Sequence, residues 1–432
     1  MLSSRYPEPV LTGPEAAVLA LLDEDATVQT LRDLVAVPSV GGSAAEADIQ
    51  AQLARRLGDL GHEVDLWPLD LEALRRDPGY PGEEVERSEA WGLVSSTGGR
   101  DGEDPVPALV LQGHVDVVPA GDPGAWRSAP YEPVERDGTL VGRGAADMKG
   151  GVAAVLAAAA TVRAAGVQLV RPFAVHCVVG EEDGGIGAFA TLRRGHRGGA
   201  CLIPEPTGLD LVTANAGSLT FSIAVPGLAT HGSTSYAGSS AIDSYLGLHQ
   251  ALAALQARRN AEPELLMRHL PVPYPLSVGR LTAGDWPSSV PDLLVAEGRY
   301  GLRVEEDPAS ARFQLEQAVA EAAERDAYLR DHPPVVTWSG GQFAGGHLPS
   351  GHVLRDEVRL AHSDVVGGGP PIPEHGAPYG SDLRLYAAAG IPTLHYGPGD
   401  VHAAHGPDES VPVQEVLTCA RVLALAVLRH CT

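Results

Sequence analysis

Two patterns of apolar and polar positions follow each other along the chain. In the first, short apolar runs typical of buried strands alternate with stretches whose apolar positions repeat with the period of a helix. Strands separated by helices indicate an α/β domain with a largely parallel sheet. Residues 70–100 are rich in proline, glycine and charge, which predicts a surface insertion. The predicted strands are 64–67, 108–111, 173–179 and 200–203, and the predicted helices are 15–34, 44–60 and 150–165.

The second pattern begins near Gly217, where residues 219–225 alternate as in a half-exposed strand. Its order, β-α-β-β-α-β, is typical of a ferredoxin-like unit. After about Gly346 the first pattern resumes. We therefore predict a discontinuous α/β catalytic domain, residues 1–216 and 347–432, with a smaller α+β domain inserted at 217–346. The predicted strands of the insert are 219–225, 276–281, 293–302 and 335–338, and its predicted helices are 241–258 and 308–329.

The composition is that of an ordinary globular protein, with 44% apolar and 20% charged residues. A length of 432 residues is too great for one core and favours two or three domains. No apolar run approaches the roughly 18 residues that a membrane helix needs. The first 22 residues do not have the pattern of a signal peptide.

The net charge of −24 disfavours two classes of partner, because an acidic surface repels nucleic acid and anionic membranes. The four cysteines, Cys177, Cys201, Cys419 and Cys431, are far apart and form no CxxC pair. Such cysteine usage argues against a disulfide framework and favours a reducing compartment, so we expect the protein to be cytoplasmic.

Five short segments contain nearly all of the chemically unusual groupings of acidic and imidazole side chains, and each segment follows an apolar run. Groups just past the carboxyl end of a strand lie where open α/β sheets place their sites. The segments contain Gly-His114-Val-Asp116, Ala-Ala-Asp147-Met-Lys, Gly-Glu181-Glu182-Asp, Pro-Glu205-Pro and Ala-His405-Gly.

Each segment alone has more than one interpretation. His114 and Asp116 are two residues apart, so on a strand the carboxylate can accept a hydrogen bond from the imidazole, but the pair also suits a surface turn. Asp147, before an Ala-rich helix, can bridge two cations or simply cap the helix. Adjacent Glu181 and Glu182 point apart on an extended chain. One can therefore bind a metal while the other faces water or substrate, although an exposed acidic turn has the same sequence.

Together the five segments supply nitrogen and carboxylate ligands without cysteine. That donor set suits zinc, with cobalt or manganese as substitutes. A shared carboxylate fits a site with two metal ions about 3.5–4 Å apart. Five such segments in one chain predict a metal site far more strongly than any of them alone.

In this order and spacing, the segments resemble those of the M20 family of metallohydrolases, and the similarity extends from about residue 27 to residue 413. The chain looks most like the acetylornithine deacetylase and succinyl-diaminopimelate desuccinylase branch. These motifs are specific for the family and only weakly specific for substrate. Further matching stretches are Trp126, residues 144–151, residues 205–207, Gly-Ser381-Asp382 and residues 397–399.

The resemblance implies two metal ions with five protein ligands. His114 and Glu205 would hold one ion, and Glu182 and His405 would hold the other. Asp147 would bridge them. The family's fold and chemistry thus agree with the zinc site that the residues themselves predict.

Two catalytic roles are also implied by the resemblance. Glu181 would be the general base, and Asp116 would orient the histidine that precedes it by two residues. Glu409, in the last motif, is interpreted as structural rather than catalytic.

The inserted domain would form a homodimer and act as a lid that carries substrate-binding residues. His231 matches a histidine that reaches an active site, in some members that of the partner subunit. Arg299 matches an arginine that binds a substrate carboxylate, although an arginine on a one-layer sheet can also simply face water. Ser381, in the matching stretch Gly-Ser381-Asp382, would also bind substrate. Relatives often have Asn before Val-Pro in the lid, where this chain has Ser289, so the substrate's position is open.

We predict a two-metal amidohydrolase that removes an acyl group from an N-acyl amino acid or a related small molecule. A metallo-carboxypeptidase or dipeptidase on the same scaffold is the alternative. A binding protein without catalysis is disfavoured, because all five ligands and the base are present. The acyl group, the amino acid and the metabolic role are not readable from these residues.

Overall fold

The computed structural model describes residues 11–97 and 106–432. They form two compact units. The first contains the described residues up to Thr213, together with His347–His375 and Asp382–Thr432. The second contains Ala214–Gly346 and the short segment Gly376–Ser381, whose return to the second unit the sequence pattern did not predict.

The strands and helices are numbered in chain order. The strands are β1 (Glu63–Pro68), β2 (Trp91–Ser96), β3 (Leu109–His114), β4 (Val134–Arg136), β5 (Thr139–Val141), β6 (Phe173–Val178), β7 (Cys201–Ile203), β8 (Leu211–Asn215), β9 (Gly217–Pro226), β10 (Leu276–Ala283), β11 (Leu293–Leu302), β12 (Val335–Phe343), β13 (Gly346–His347), β14 (Glu374–Ala377), β15 (Thr393–His395) and β16 (Ser410–Pro412). The α-helices are α1 (Gly13–Leu19), α2 (Glu24–Val35), α3 (Ala44–Asp59), α4 (Leu71–Arg76), α5 (Gly150–Ala165), α6 (Ile186–Arg193), α7 (Ala241–Arg259), α8 (Pro308–Ala323), α9 (Val353–Val366), α10 (Leu383–Ala388) and α11 (Val413–Cys431).

The central sheet has the order β1-β2-β6-β3-β7-β15-β8-β13, and β14 pairs with β8. Its middle strands, β6, β3, β7 and β15, are parallel. Strand β2 pairs antiparallel with β6, β1 pairs antiparallel with β2, and β8 pairs antiparallel with β15. The middle strands are buried along their whole length, which explains their continuous apolar runs. This arrangement confirms the predicted α/β class with a mainly parallel central sheet.

The predicted surface insertion at 70–100 is partly wrong. Within it, Trp91–Ser96 forms β2, a largely buried strand between β1 and β6. The stretch before it is rich in proline, glycine and charged residues, so the whole segment was interpreted as a surface insertion and the apolar strand was not recognised. Residues 98–100 of the predicted insertion lie outside the described residues.

Two predicted helices are shorter than their apolar pattern. The stretch 15–34 forms two helices, because Asp23 caps the second one by accepting a hydrogen bond from the N–H of Ala26. Helix α8 ends at Ala323 rather than at residue 329. There the carboxylate of Asp326 accepts the N–H groups of Tyr328 and Leu329 and replaces helical bonds with a turn.

The second unit has an antiparallel sheet with the order β10-β11-β9-β12. Side chains of β9 alternate between buried and partly exposed, as predicted. The buried face, which includes Phe221 and Ile223, packs in one cluster with Leu248 of α7 and Leu315 of α8. Strand order and connections confirm the ferredoxin-like α+β insert.

A small sheet in the first unit has the order β16-β5-β4 and positions two segments of the candidate site. Val411 of β16 pairs with Leu140 of β5. This pairing brings the residues that precede β16 beside those that follow β5. The next helical stretch, Ala145–Ala165, is long and apolar enough to cross a membrane by composition, but 89% of its most apolar window is buried inside the protein, as in a core helix.

Candidate active site

The predicted ligands gather at one edge of the central sheet. His114 ends β3, Glu181 and Glu182 follow β6, and Glu205 follows β7. Strands β6 and β7 flank β3 in parallel, so the three carboxyl ends meet at the same edge. The structure therefore brings together side chains that are up to 91 positions apart, from 114 to 205, in the chain.

Asp147 joins two groups of possible metal ligands. In the first group, Nε2 of His114 is 3.0 Å from Oδ1 of Asp147 and 3.8 Å from Oε2 of Glu205. In the second, Nε2 of His405 is 3.0 Å from Oε2 of Glu182 and 3.5 Å from Oδ2 of Asp147. Within each group the ligand atoms lie within 4.8 Å of one another. Asp147 thus presents one carboxylate oxygen to each group.

Asp116 contacts its neighbours differently from the sequence expectation. Nδ1 of His114 is 3.0 Å from the backbone oxygen of Asp116 but 3.7 Å from its carboxylate. Strand β3 ends at His114, so the two side chains do not share a face of one strand. The Asp116 carboxylate instead accepts the backbone N–H groups of Glu181 and Glu182, at 3.3 and 3.2 Å. It therefore orients the loop that carries these two glutamates.

A buried ion pair supports the loop of Asp147. Oε1 of Glu409 accepts the backbone N–H groups of Ala146 and Asp147, at 3.1 and 3.0 Å. Its other oxygen accepts from Nη1 of Arg143 at 2.5 Å, and Nη2 of Arg143 donates to the carbonyl of His405 at 3.2 Å. One ion pair thus supports both the bridging carboxylate and the histidine of the second group. The sequence analysis did not identify Arg143 as a site residue. Its position between two glycines in the Asp147 motif was the one feature that could have indicated it.

The glutamates of the site lie in an environment that opposes their negative charge. Burial raises the pKa of Glu181 and Glu205 well above the usual range, and their acidic neighbours add to the effect. Burial and the charge of Asp147 raise the pKa of Glu182 to about 7. Several buried carboxylates this close together favour the presence of positive charge among them.

Both histidines respond to the same negative charge. Hydrogen bonds to Asp147 and Glu182 raise the pKa of His405 to about 10. Burial opposes the charged form of His114, yet the hydrogen bond to Asp147 and the charge of Glu205 raise its pKa well above the usual value. The acidic neighbours therefore favour the charged form of both imidazoles.

Glu181 is buried beside further polar groups, of which the sequence analysis named only Asp382. Asp382 and Arg384 lie near enough to influence its electrostatics. The carboxylate of Asp382 accepts a hydrogen bond from Gln112 at 2.9 Å, and Arg384 donates to the carbonyl of Gly184 at 2.7 Å. Gln112 lies within an apolar strand and Arg384 within an apolar helix. A polar residue inside an otherwise apolar element was the sequence signal that could have identified them.

The predicted substrate-binding residues belong to the second unit. His231 is exposed, and its Nδ1 accepts the backbone N–H of Ser233 at 3.1 Å, which leaves the proton of a neutral imidazole on Nε2. Ser381 is buried, with 1% of its surface exposed. Arg299 is half-buried, donating to Oγ of Ser218 at 2.7 Å and to the carbonyl of Pro378 at 2.8 Å. Neither acceptor of Arg299 is charged, and burial lowers its pKa.

Comparison with known proteins gives consistent matches. Residues 110–429 match Peptidase family M20/M25/M40. The chain is 25% identical over 410 residues to an N-formyl-4-amino-5-aminomethyl-2-methylpyrimidine deformylase of Bacillus subtilis (strain 168), covering 89% of each chain. It is 27% identical over an alignment of 441 residues to the protein of the same name from Halalkalibacterium halodurans, covering 94% of each.

Among solved structures, the dipeptidase Dug1p of Saccharomyces cerevisiae has the same fold. Its TM-score is 0.74 at 14% identity, and the match covers 96% of this chain and 98% of that one. An identity this low supports the fold and leaves the substrate open.

Proposed function

The chain belongs to peptidase family M20/M25/M40 and is a metal-dependent amide hydrolase, and we propose that it removes an acyl group from a small N-acylated molecule with two divalent metal ions. The observation that carries the proposal is the position of Asp147, whose two carboxylate oxygens face separate groups of possible ligands. The proposed ligands are His114, Asp147, Glu182, Glu205 and His405.

The residues present fit two cations. Nδ1 of His114 lies 3.0 Å from a backbone carbonyl, and donation to that oxygen leaves the lone pair of Nε2 for a metal. Burial and acidic neighbours raise the pKa of Glu182 and Glu205, so bound metal ions would stabilise the charged forms of these carboxylates. Nitrogen and carboxylate donors without cysteine favour zinc, with cobalt or manganese as substitutes.

Glu181 is the proposed general base. Two metal ions held by the proposed ligands would polarise the amide carbonyl and activate water near neutral pH. Burial raises the pKa of Glu181, which suits a carboxylate that takes a proton from water and later delivers it to the amide nitrogen. Glu182 bonds to His405 and is assigned to the metal, so it does not replace Glu181 in this role.

The substrate class is narrowed by two observations. Two relatives named as deformylases, at 25% and 27% identity, support a small acyl group such as formyl. Arg299 has only uncharged acceptors in the second unit, and a guanidinium of this kind suits a substrate carboxylate. A carboxylate occurs in N-acyl amino acids and equally in dipeptides, so this observation also supports the peptidase alternative.

A substrate panel tests the proposal. N-formyl, N-acetyl and N-succinyl amino acids, an N-formylated aminomethylpyrimidine and dipeptides would each be incubated with the zinc-loaded protein, and the released amine would be quantified. We expect the highest kcat/KM on an N-acyl compound. Preference for dipeptides would establish the alternative, and no hydrolysis of any compound would contradict the proposed function.

We also propose a cytoplasmic homodimer. The ferredoxin-like sheet ends in strands β10 and β12, and unpaired strand edges are natural surfaces for association between identical chains. All four cysteines are free, which fits a reducing compartment. Light scattering over a range of concentrations should give twice the chain mass of 44.9 kDa. A monomer throughout would contradict the dimer and a role for His231 in a partner's site.

A further inference from the structure

A buried network lies beside the loop that carries Glu181 and Glu182. At its centre is Arg87, whose side chain has 0% exposure. Its Nε and Nη2 each donate to a carboxylate oxygen of Glu46, both at 3.2 Å, and its Nη1 donates to Oδ2 of Asp183 at 2.7 Å. Asp183 directly follows Glu182 in the chain, so the guanidinium is bonded to the catalytic loop itself.

The residues that precede Arg87 bind the same loop. The backbone N–H groups of Val85 and Glu84 donate to Oδ2 of Asp183, at 3.0 and 3.3 Å. The carbonyl oxygen of Gly82 lies 2.1 Å from where a Cβ of Gly184 would be. Such close approach of two backbones is possible only because position 184 is glycine.

The guanidinium also packs against the start of the loop. Gly180 has a φ of +66°, and a Cβ there would lie 3.1 Å from Nη2 of Arg87. Asp116 binds the same loop through the N–H groups of Glu181 and Glu182. The loop is therefore held through its backbone by one carboxylate and through Asp183 by Arg87.

Removing the guanidinium would leave two carboxylates buried without their shared cation. The carboxylates of Glu46 and Asp183 would repel each other and also the negative charge of Asp116. An unpaired buried charge is strongly destabilising locally, and it is relieved either by protonation of a carboxylate or by movement of the loop towards water. Such movement displaces the two glutamates that follow Gly180.

We propose that Arg87 is a positioning residue for hydrolysis, which anchors the loop through Asp183 and thereby sets the direction of Glu181 and Glu182. This inference rests on the proposed function, because it concerns the base and one metal ligand of that site. Displacement of a catalytic group by about 1 Å is enough to cost about 100-fold in rate.

Arg87→Met tests the inference directly. We expect kcat to fall about 10–100-fold, and the affinity for one of the two metal ions to fall by a similar factor, as for other residues that support metal ligands. KM should stay within about threefold, because substrate-binding residues are untouched. Arg87→Lys keeps the charge without the fork to Glu46, so it should recover part of both losses. Zinc titration by calorimetry measures the metal affinity independently of turnover.

Arg429→Met is the matched control. Arg429 also bonds two carboxylates, Glu15 at 2.8 Å and Asp364 at 2.6 Å, but on helices that carry no site residue. It should lower the melting temperature and leave kcat and both zinc affinities unchanged. Should Arg87→Met fail to fold, Asp183→Asn provides the same measurement while it keeps the fork between Arg87 and Glu46.

Two failures are distinguishable. A wild-type protein that binds no metal would overturn the proposed function and this inference with it. A wild-type protein that binds two ions, beside an Arg87→Met or Asp183→Asn variant with kcat and zinc affinities within about threefold of wild type, would overturn only the positioning role.

Discussion

The edge of the central sheet and the sheet of the second unit contain opposite electrostatic imbalances. Around Asp147 several carboxylates are buried together, and their histidine neighbours are driven towards the charged form. Arg299, in the second unit, is a half-buried cation whose acceptors are the hydroxyl of Ser218 and a backbone carbonyl. A surplus of acidic groups suits cations and an excess of positive charge suits an anion, which agrees with the proposed metal ions in the first region and the proposed substrate carboxylate in the second.

Buried ion pairs elsewhere make this contrast informative. Arg87 and Arg143 in the first unit, and Arg259 in the second, are each bonded to carboxylates inside the protein. The charge of these three arginines is therefore balanced by carboxylates. Arg299 has no carboxylate among its acceptors, and the proposed metal ligands are mostly acidic, so bound ligands would complete the charge at both places.

The largest expected effect on activity distinguishes the roles of Glu181 and Glu182, two neighbours within the acidic region. Glu181→Ala should lower kcat by at least about 10²–10⁴-fold while both metal ions stay bound, because general acid–base help is lost and the ligands remain. Glu182→Ala should lose metal together with activity. Metal content by elemental analysis and kcat on the best substrate check this. Loss of metal from Glu181→Ala, or a near-normal kcat, would show that the roles are reversed or wrong.

The cationic region has a smaller expected effect. Arg299→Ala should lower kcat/KM by about 10–100-fold on a substrate with a free carboxylate, the cost of one charged hydrogen bond. The same substitution should change kcat/KM little for a substrate whose carboxylate is amidated. Arg280→Ala is the control, because Arg280 lies on the neighbouring strand and pairs with Glu297 at 2.5 Å at the surface. Equal losses on both substrates would assign Arg299 another role.

The support of Asp147 can be weakened without removing a ligand. Glu409→Gln keeps the size of the side chain but removes the charge that pairs with Arg143. We expect zinc affinity to fall about 10-fold, at the lower end for residues that orient ligands, with the donor atoms unchanged. Glu135→Gln, in a surface pair with Arg32, serves as control. Equal zinc affinity in Glu409→Gln and wild type would contradict the supporting role.

The smallest expected effect concerns His62, whose imidazole is buried. Burial and the charge of Arg163 lower the pKa of His62 to about 4. The unfolded chain binds this proton near pH 6.5, so it holds more protons than the folded state between about pH 6.5 and 4, and stability falls as pH falls through that window. From pH 7 to 5 the loss should be about 2 kcal/mol, and His62→Gln should lack it in urea unfolding. The same pH dependence in both proteins would contradict the assignment.

Strand order explains why so much of the fold and site was predictable. Apolar runs predicted β3, β6 and β7, and the ends of parallel strands necessarily meet at one edge. The groups that hold the ligands were not predictable in the same way. Arg87 bonds Asp183, and Arg143 bonds Glu409, across 96 and 266 positions of the chain. The residues around each arginine contain no pattern that predicts its acidic partner, because the two side chains meet only after folding.

The helix ends and strand β2 were not predicted correctly, for a different reason. Single side chains such as Asp23 and Asp326 end or restart helices by binding backbone N–H groups, and the apolar period does not register them. Strand β2 follows a charged segment that looks like surface, yet it packs between β1 and β6. Tertiary pairing decided these elements against their local composition.

Metal stoichiometry tests the central claim most directly. Protein stripped with a chelator and titrated with zinc should bind two ions per chain and recover hydrolysis that was absent in the stripped form. His405→Ala should bind close to one ion, because it removes a ligand from only one of the two groups that share Asp147. Full activity in the metal-free protein, or two ions still bound tightly by His405→Ala, would contradict the two-metal account.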